Sequence, residues 1–380
     1  MNSTFDQFTE VSPSTGSLTL SPEQLTATDL ISAWFRSGSN LEFRLGGYAG
    51  TGKTTIQKVI REILKTPSAV CAFTGKAVNV LQRKGISDAA TIHSTIYNCE
   101  QQPDGTWEFF LRNRLEGNPK LIIIDEASMI SRQLYDDLVS FDIPLLFVGD
   151  PGQLEPIENN PNLMAKPDFT LQTIHRQAES SPIIQYASSI RHGQSPKSEV
   201  KPGLEVRSKV GFDVPLAATF DQVICAKNKT RMEINRRFRG FMGRQGYSLE
   251  KGDKIIVLRN NMTYAVFNGM ILFVDEVLDD CGLFSIINSH DEINRPCNNL
   301  RVWNEPFQRD IGKDFVVPKH DRVPLVYADW GYCITCHKSQ GSEWDRVLLW
   351  DEWMHPSVWD MRRWRYTGIT RASKHLTHCL

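Results

Sequence analysis

Short apolar runs alternate with longer polar or amphipathic segments along the first half of the chain. Four of these runs have the length of buried strands, namely Leu41–Leu45, Ala69–Phe73, Leu121–Ile124 and Leu145–Val148. Segments of helix length separate most of them. Because strands that alternate with helices pair in the same direction, the pattern predicts an α/β fold whose parallel sheet is covered by helices on both faces.

A second α/β unit is predicted from residue 159 onward, with a different kind of structure inserted into it. Its candidate strands are Gln222–Ala226, Val347–Trp350 and His375–Cys379. Between them, residues 252–330 contain short apolar runs at Lys254–Leu258, Met270–Val274 and Leu283–Ile287, which favour a small β-barrel. We therefore predict a disordered leader at 1–19, a first domain at 20–158, a second domain at 159–251 and 331–380, and the insertion at 252–330.

Composition describes an ordinary globular chain with an uneven distribution of charge. The 380 residues are 41% hydrophobic and 23% charged, which suits two or three domains, and the net charge is −1. Seven basic residues nevertheless lie between Lys227 and Arg244, with Glu233 as the one acid among them. A second basic run extends from Arg362 to Lys374. Either a solvated helix face or a nucleic-acid surface would account for these runs.

The cysteine spacing and the apolar runs indicate in which cellular compartment the chain is found. Eight cysteines are scattered without the spacing of a disulfide framework, and Cys333-x-x-Cys336 has no second pair at zinc-site spacing. The first twenty residues lack the basic start and apolar middle of a signal peptide, and no apolar run reaches membrane-spanning length. We therefore expect a cytoplasmic protein with no membrane partner.

A complete P-loop pattern, GYAGTGKT, occupies residues Gly47–Thr54, between the first predicted strand and a predicted helix at Thr55–Leu64. Its glycines let backbone N–H groups surround phosphate oxygens, and the helix N-terminus adds partial positive charge. We expect Lys53 to reach the β- and γ-phosphates of ATP and the Thr54 hydroxyl to bind Mg²⁺. The residues predicted to contact the nucleotide here are Gly47, Gly50, Thr51, Gly52, Lys53, Thr54 and Thr55.

Two acids follow a buried strand, as a P-loop site requires. Asp125 and Glu126 come directly after four apolar residues, at the strand end where open parallel sheets bind ligands. Asp125 is predicted to hold the magnesium ion, and Glu126 to polarise the attacking water as a general base. A further strand leads into the turn Gly149–Leu154, whose Gln153 we expect to contact the γ-phosphate or the water. By itself, that turn carries no specific signal.

Taken together, these segments resemble motifs I, II and III of the superfamily 1 helicases, and the other motifs appear in the expected order. Leu20–Gln24 resembles the segment in which a glutamine reads the adenine, here Gln24. The segments that resemble motifs Ia, Ib, IV, V and VI are, in that order, Phe73–Ala77, Thr91–Ser94, Ile174–Gln177, Thr335–Glu343 and Tyr366–Ala372.

The resemblance extends from Leu20 to Leu380, and the sequences of motifs Ib and V favour the RecD-like and phage Dda-type branch, which moves 5′–3′. Motif VI departs from the family in detail. Thr367-Gly368 stand where Val-Ala is usual, and Ser373 stands where a basic residue is frequent. The key arginine of this motif, Arg371, is present, so we expect activity to be kept.

The resemblance implies an ATP-dependent DNA helicase with two RecA-like parallel-sheet P-loop domains, an inserted β-hairpin and an inserted SH3-like β-barrel. ATP and Mg²⁺ are the implied cofactors, and Arg176 and Arg371 of the second domain would reach the γ-phosphate. Gly341 and Glu343 of motif V would contribute to nucleotide binding. The residues implied to contact single-stranded DNA are Thr74, Lys76, Thr91, His93, Asn268, Thr335, His337 and Ser339.

An insertion between motifs Ib and II, residues 96–119, is too long for a simple loop. Its turn signal, Pro103-Asp104-Gly105, is flanked by apolar residues and predicts a β-hairpin. The resembling helicases carry at this position a hairpin that blocks the second strand at the fork. We predict that Trp107 and Phe109 separate the strands, and packing of these aromatic residues on the first domain is the alternative.

Two other functions are compatible with parts of the pattern. A nucleotide kinase or AAA-type ATPase would share the P-loop but would leave His337–Glu343 and a second, arginine-bearing domain unexplained. An ATP-gated factor that binds or loads single-stranded DNA without strong unwinding would share every motif. For a helicase, the expected partners are single-stranded and fork DNA, with a single-strand-binding or replication protein as a further candidate. We expect a monomer in a bacterial or phage-infected cell, acting in replication, recombination or repair.

Overall fold

The computed structural model describes residues 19–101, 107–155, 161–174, 180–309, 316–320, 323–355 and 359–380. Within these ranges the chain forms two six-stranded sheets, one five-stranded antiparallel sheet and two short strand pairs. Among the described helices, none has the length and apolar character needed to cross a lipid bilayer.

Helices and strands are numbered separately in chain order. The described helices are α1 (Pro22–Ser37), α2 (Lys53–Leu64), α3 (Gly75–Arg83), α4 (Ile92–Ile96), α5 (Arg132–Val139), α6 (Pro182–Arg191), α7 (Val214–Ala217), α8 (Asn228–Phe241), α9 (Glu305–Gln308) and α10 (Met361–Ile369). The strands up to residue 171 are β1 (Glu42–Gly47), β2 (Ser68–Ala72), β3 (Ala90–Thr91), β4 (Tyr97–Gln101), β5 (Trp107–Leu111), β6 (Leu121–Asp125), β7 (Leu145–Gly149) and β8 (Phe169–Leu171). The later strands are β9 (Glu199–Lys201), β10 (Leu204–Arg207), β11 (Gln222–Cys225), β12 (Lys254–Val257), β13 (Ile271–Asp280), β14 (Phe284–Asp291), β15 (Pro296–Trp303), β16 (Lys319–His320), β17 (Val323–Pro324), β18 (Ala328–Trp330), β19 (Cys333–Thr335), β20 (Trp344–Trp350) and β21 (Ala372–Cys379).

The first sheet has the strand order β3-β2-β6-β7-β1-β8, and all its strand pairs are parallel. Successive side chains of β6 point to opposite faces. Leu121 and Ile123 pack in a cluster with residues of α1, α2 and α3, whereas Ile122 and Ile124 pack with residues of α4 and α5. The continuous apolar run therefore reflects burial on both faces. The same order brings the carboxyl ends of β1, β6 and β7 side by side.

The outer strand β8 belongs to the first sheet although it lies beyond the predicted domain boundary. It pairs in parallel with β1, although the sequence predicts that the second domain begins at residue 159. Leu163 and Met164, also beyond that boundary, pack in the core of the first domain. A three-residue strand is too short to give a periodic signal, which is why the sequence pattern misses it. The first sheet therefore extends to Leu171.

The second sheet has the order β19-β11-β20-β21-β10-β9, in which only the edge strand β9 is antiparallel to its neighbour among the described pairs. Helix α10 packs closely on this sheet. A Cβ placed on Gly368 would lie 2.6 Å from Cδ1 of Leu349, a distance that real side chains do not tolerate. A glycine at this position of motif VI, where alanine is usual, therefore leaves room for the side chain of Leu349.

The five-stranded sheet, in the order β15-β14-β13-β12-β18, lies within the range predicted for the insertion. Its neighbouring strands are antiparallel. The segment that ends in β18 touches both edges of the sheet: Val326 bridges to Val302 of β15, and Ala328 pairs with Val257 of β12. This curvature encloses apolar side chains including Leu272, Ile287 and Leu300. An SH3-like topology for the sheet stays a prediction.

The segment after motif Ib contains an antiparallel pair, β4 with β5, in the register from Tyr97↔Leu111 to Gln101↔Trp107. The turn predicted at 103–105 lies outside the described residues. The base of the pair is fixed to the first domain, because Ile96 is fully buried and the Tyr97 hydroxyl is bonded to Asp137 of α5. The strand-separating role stays a prediction.

Candidate active site

The P-loop forms a tight cradle at the carboxyl end of β1. Gly50 and Gly52 both have φ of +80°, in the left-handed region that other residues rarely adopt. Helix α2 begins directly after Gly52 and is aimed by its N-terminus at the cradle. The Lys53 ammonium donates hydrogen bonds to the carbonyl oxygens of Gly47 at 2.7 Å and Tyr48 at 3.3 Å. The loop thus carries backbone amides and one cation at the position where phosphate groups bind.

Gln24 connects helix α1 to the P-loop. Its side chain completes a capping box with Ser21 at the start of α1 and donates from Nε2 to the Thr51 carbonyl at 3.3 Å. The residue is 3% exposed. These contacts tie α1 to the cradle, and the predicted reading of adenine by Gln24 stays a prediction.

The two acids after β6 have different environments. Asp125 accepts a hydrogen bond at 2.9 Å from Nε2 of Gln57, a buried residue of α2. Burial, followed by the nearby charge of Glu126, raises the pKa of Asp125 to about 6, and the Lys53 cation opposes the rise. Glu126 has φ of +52°, a strained conformation for a residue with a side chain and one found often at functional sites.

The buried side-chain atoms without a hydrogen-bond partner in the described part of the chain include three carbonyl or carboxylate oxygens near the P-loop: Oε1 of Gln57, Oε2 of Glu126 and Oε1 of Gln153. They belong to α2 and to the turns after β6 and β7, which meet at the P-loop edge of the sheet. Buried acceptors of this kind are normally satisfied by a ligand or by water.

The donor set fits Mg²⁺ bound to a nucleotide. Magnesium prefers oxygen ligands, retains several waters and is usually held by one or two protein groups together with phosphates. The Thr54 hydroxyl and the Asp125 carboxylate supply two oxygens, and the unpaired acceptors can hold the ion's water. Among the described residues, no group of three or more His, Cys, Asp and Glu side chains that could hold a metal ion is found.

A tyrosine of the second domain reaches into this site. The Tyr366 hydroxyl, on α10, accepts a hydrogen bond from the P-loop amide of Ala49 at 2.8 Å and donates to Oδ2 of Asp150 at 2.8 Å. The other Asp150 oxygen accepts from the Gly152 amide at 2.8 Å. Burial and the Asp150 charge hold the pKa of Tyr366 well above its usual range, so the hydroxyl keeps its proton. We refer to Ala49, Tyr366 and Asp150 as the tyrosine relay.

The turn after β7 is held by two further residues of the second domain. The Leu154 amide donates to Oγ1 of Thr367 at 2.9 Å, and Gln340 of motif V donates from Nε2 to the Leu154 carbonyl at 2.7 Å. Thr367 is the other position at which motif VI departs from the family's usual Val-Ala. Its hydroxyl supplies an acceptor that valine lacks, so this departure adds an interdomain hydrogen bond.

Arg371 is buried behind these contacts, with 5% of its surface exposed. It donates to the carbonyl oxygens of Thr367 and Ser342 at 3.0 Å each, and to the Thr370 hydroxyl at 3.1 Å. Motifs V and VI therefore share one fixed guanidinium. The other predicted arginine, Arg176, lies outside the described residues.

The residues predicted to contact DNA are divided between two cavities. A cavity of about 1700 Å³ is lined by Thr74, Asn268, Thr335 and His337. Another, of about 900 Å³, is lined by Lys76, Thr91 and Asn268, and it also holds the exposed Glu343 that the sequence assigns to nucleotide binding.

Most of the predicted DNA-contact residues make contacts within the protein. Oγ1 of Thr74 and Oγ1 of Thr91 accept from backbone amides at the starts of α3 and α4, and Oδ1 of Asn268 accepts from the Lys338 ammonium at 3.0 Å. His93 packs against the rings of Phe73 and Tyr97. Ser339 is fully buried, and its hydroxyl donates to the Cys336 carbonyl at 2.7 Å, so it lies beneath the surface. Gly341 of motif V, predicted to bind nucleotide, lies against Thr74 of the first domain, where a Cβ would be 3.1 Å from Oγ1.

Lys76 joins three parts of the molecule. Its ammonium pairs with Glu292 of the inserted sheet at 2.8 Å and lies 3.6 Å from the centre of the Trp344 ring in the second domain. The Trp344 indole donates to the same Glu292 oxygen at 2.7 Å. Burial lowers the pKa of Lys76 to about 8 despite the carboxylate. A phosphate contact by Lys76 would require this ion pair to open.

Replacing Tyr366 by phenylalanine is expected to weaken the interdomain contact. The Ala49 amide and one Asp150 oxygen would lose a buried partner, which costs about 1–3 kcal/mol for a group left unpaired. We expect a lower midpoint of thermal unfolding and a raised KM for ATP. Tyr48→Phe, which removes a hydroxyl from the same loop but not from the relay, is the matched control. Equal values for Tyr366→Phe and the wild type would contradict the role of the hydroxyl.

Sequence comparisons agree with this arrangement of motifs. Residues 19–204 match a family described as an AAA domain, and residues 331–377 match the UvrD-like helicase C-terminal domain. The ATP-dependent RecD2 DNA helicase of Deinococcus radiodurans is 27% identical over 391 residues, which cover 93% of this chain and 48% of that protein. The ATP-dependent DNA helicase Dda of Enterobacteria phage T4 is 30% identical over 185 residues, which cover 44% of this chain and 42% of that protein. This chain therefore spans less than half the length of either relative.

A structural comparison supports the same fold. A complex of two coordinating Pif1 helicases at forked double-stranded DNA matches with a TM-score of 0.57 at 18% identity, covering 96% of this chain and 92% of that one. At this identity the likeness concerns the fold alone, an α/β fold with parallel central sheets as in RecA-like helicases. The ordered motifs, the two family matches and the relatives show that the chain is similar to the superfamily 1 helicases, including their RecD-like and Dda-like members.

Proposed function

We propose that the chain is an ATP-dependent DNA helicase that translocates on single-stranded DNA and couples ATP hydrolysis to duplex unwinding. The tyrosine relay carries this proposal, because it links the P-loop and Asp150 of the first domain to α10 of the second. A nucleotide at the P-loop would change contacts made by both domains, and their closing and opening would be the motor stroke. A kinase or AAA-type ATPase with one α/β domain would not contain a link between two such domains.

In the proposed reaction, water attacks the γ-phosphorus of ATP and ADP leaves. Glu126 orients and polarises the water. Gln153, in the adjoining turn, would contact this water or the γ-phosphate. Lys53 and Arg371 neutralise charge on the phosphate oxygens, and Arg176 keeps its predicted role as a further cation. When bound, Mg²⁺ screens the β- and γ-phosphate oxygens, and Thr54 and Asp125 are the residues that would hold it.

Single-stranded DNA is proposed to follow the larger cavity across both α/β domains. Thr74, Thr335 and Asn268 offer hydroxyl and amide groups to phosphates. Burial lowers the pKa of His337 to about 4, so at neutral pH this residue would contact DNA as an uncharged ring. Thr91, Lys76 and His93 keep their predicted roles at the edge of the path, and the buried Ser339 is left out of the proposed contacts.

The finer features of the proposal rest on the family. RecD2 and Dda are named as ATP-dependent DNA helicases, and the Pif1 complex was determined on forked DNA. We propose 5′–3′ movement, an SH3-like form for the inserted sheet, and a second domain that begins after Leu171 and resumes at residue 331. A monomer acting on forks in the cytoplasm, with a single-strand-binding or replication protein as partner, completes the proposal.

A strand-displacement assay tests the activity. With ATP and Mg²⁺, we expect displacement from a duplex with a 5′ single-stranded tail, and little from the same duplex with a 3′ tail. Single-stranded DNA should stimulate ATP hydrolysis, with an affinity that falls steeply as salt rises, through counterion release. Stimulated hydrolysis without displacement would identify the ATP-gated binding factor, and hydrolysis indifferent to DNA would contradict both. Equal displacement from both tails would contradict the polarity alone.

The hairpin provides a test of strand separation. Trp107, the first residue of β5, is paired with Gln101 and lies next to the turn that the sequence predicts. If its ring stacks on the terminal base pair, Trp107→Ala would lose about 1–3 kcal/mol of stacking. We expect slower strand displacement with DNA-stimulated ATPase kept. Phe110→Ala, an exposed aromatic residue farther from the turn, is the control. Equal falls in both activities would indicate that the hairpin only supports the fold.

A further inference from the structure

Trp353 is an exposed aromatic side chain next to the larger cavity that the proposed function leaves without a role. It is 74% exposed, although tryptophan is normally well covered in a folded protein. It lines the cavity that also holds Thr335 and His337. A flat, solvent-facing ring on the wall of a nucleic-acid path is suited to stack on a base.

The backbone on both sides of Trp353 is fixed, so the ring does not belong to a loose loop. The Glu352 carboxylate accepts from the amides of Ala226 and Lys227 at 2.9 and 3.0 Å and from the Thr230 hydroxyl, which ties it to the start of α8. On the other side, Met354 is 5% exposed and packs in the core of the second domain. The geometry therefore holds the ring out toward the cavity.

Helix α8 supplies positive charge beside the ring. Lys229 and Arg236, seven residues apart and thus on one face of the helix, are exposed and line the same cavity, as does the single acid between them, Glu233. Neither basic residue forms an ion pair with any acid in the described ranges. By contrast, Arg231 is paired with Asp329 at 2.6 Å. Lys227, at the amino end of the helix, donates to the Trp353 carbonyl at 3.0 Å and joins the two elements.

We propose that Trp353 and the exposed basic face of α8 form an additional single-strand subsite, in which the indole stacks on one base and Lys229 and Arg236 hold the adjoining phosphates. The site takes any nucleobase, because every base offers a π-face and no hydrogen-bonding group is required. This inference rests on the proposed function and extends the strand path beyond motif V, onto a surface that carries none of the helicase motifs.

An abasic scan tests the stacking. A set of thymidine oligonucleotides, each with one abasic position, is bound to the wild type, Trp353→Ala and Trp353→Phe. In the wild type, one position should lower affinity by about 5-fold to 150-fold, the value of one base–aromatic stack. Trp353→Ala should bind the intact oligonucleotide more weakly by a similar factor and show no added loss at that position. Trp353→Phe should retain most of the affinity.

The controls separate failure of this inference from failure of the proposed function. Leu283→Ala, which removes an exposed apolar side chain in the turn between β13 and β14, should bind like the wild type. Lys229→Ala and Arg236→Ala should each reduce the salt dependence of binding by roughly one phosphate contact. If the wild type binds DNA and its abasic profile is unchanged in Trp353→Ala, the subsite is wrong and the helicase proposal stands. If the wild type does not bind single-stranded DNA, both are wrong.

Discussion

Replacing Arg371 by alanine is expected to lower kcat for ATP hydrolysis by roughly 10³–10⁵-fold, the contribution of an arginine that stabilises charge on the transferred phosphoryl group. The guanidinium is held by carbonyl oxygens of motifs V and VI, so it is already oriented before the nucleotide arrives. Preorganised charge of this kind acts in the transition state with little reorganisation. Single-turnover hydrolysis at saturating ATP measures the effect on chemistry apart from binding.

The same substitution removes three hydrogen bonds, so folding must be measured beside activity. The Ser342 carbonyl would lose its partner, whereas the Thr367 carbonyl would still accept from the Thr370 hydroxyl at 3.0 Å, so we expect a loss of about 1–3 kcal/mol for the one unpaired group. Arg371→Lys keeps the charge but not the planar geometry, and it should recover stability more than it recovers kcat. A normal kcat in the alanine variant would mean that the second domain does not complete the site.

Glu126→Gln should nearly stop turnover while nucleotide binding persists. The amide keeps the shape and the left-handed backbone of Glu126 but cannot accept a proton, and loss of a general base costs about 10²–10⁴-fold in rate. Binding is measured with a fluorescent ATP analogue and turnover by phosphate release. The substitution also removes the charge that contributes to the raised pKa of Asp125, so we expect the pKa of that carboxyl to fall.

Lys53→Ala is the companion variant, because it removes the cation that lies across the P-loop carbonyls. It should lose both binding and turnover. The contrast distinguishes a catalytic carboxylate from a phosphate-binding lysine. Retained wild-type turnover in Glu126→Gln would mean that another group activates the water, and unimpaired binding by Lys53→Ala would contradict the position assigned to the phosphates.

Sequence reasoning succeeded where the chemistry is local. The P-loop, with its flanking strand and helix, occupies one continuous stretch, and the predicted runs Leu121–Ile124 and Leu145–Val148 lie within β6 and β7. The carboxyl ends of these strands meet because parallel strands share one direction, which the alternating pattern already indicates. The position of a residue at the end of a parallel strand is therefore predictable from the sequence pattern.

The partners that complete the site were not predictable in this way. Gln57 is 68 residues from Asp125, and Tyr366 is 216 residues from Asp150, so no local pattern connects either pair. Nor does a sequence show that Lys76 faces Glu292 and Trp344, because that contact depends on how three sheets are arranged. The unusual residues of motif VI were visible as departures, but their meaning required Leu349 and Leu154 to be seen beside them.

The connection between β18 and β19 has a mechanical consequence. Only Gly331 and Tyr332 separate the closing strand of the inserted sheet from the strand that leads into motif V. Both of their carbonyls accept from the Gln222 amide, at 3.1 and 3.2 Å, and the buried Asn235 amide donates to the carbonyls of Trp330 and Cys333 at 3.1 Å each. A connection with a hydrogen bond at each of its residues is rigid. If single-stranded DNA under tension pulls on the inserted sheet, this connection would therefore transmit the force directly to motif V. A load that opposes translocation should then slow the ATPase cycle.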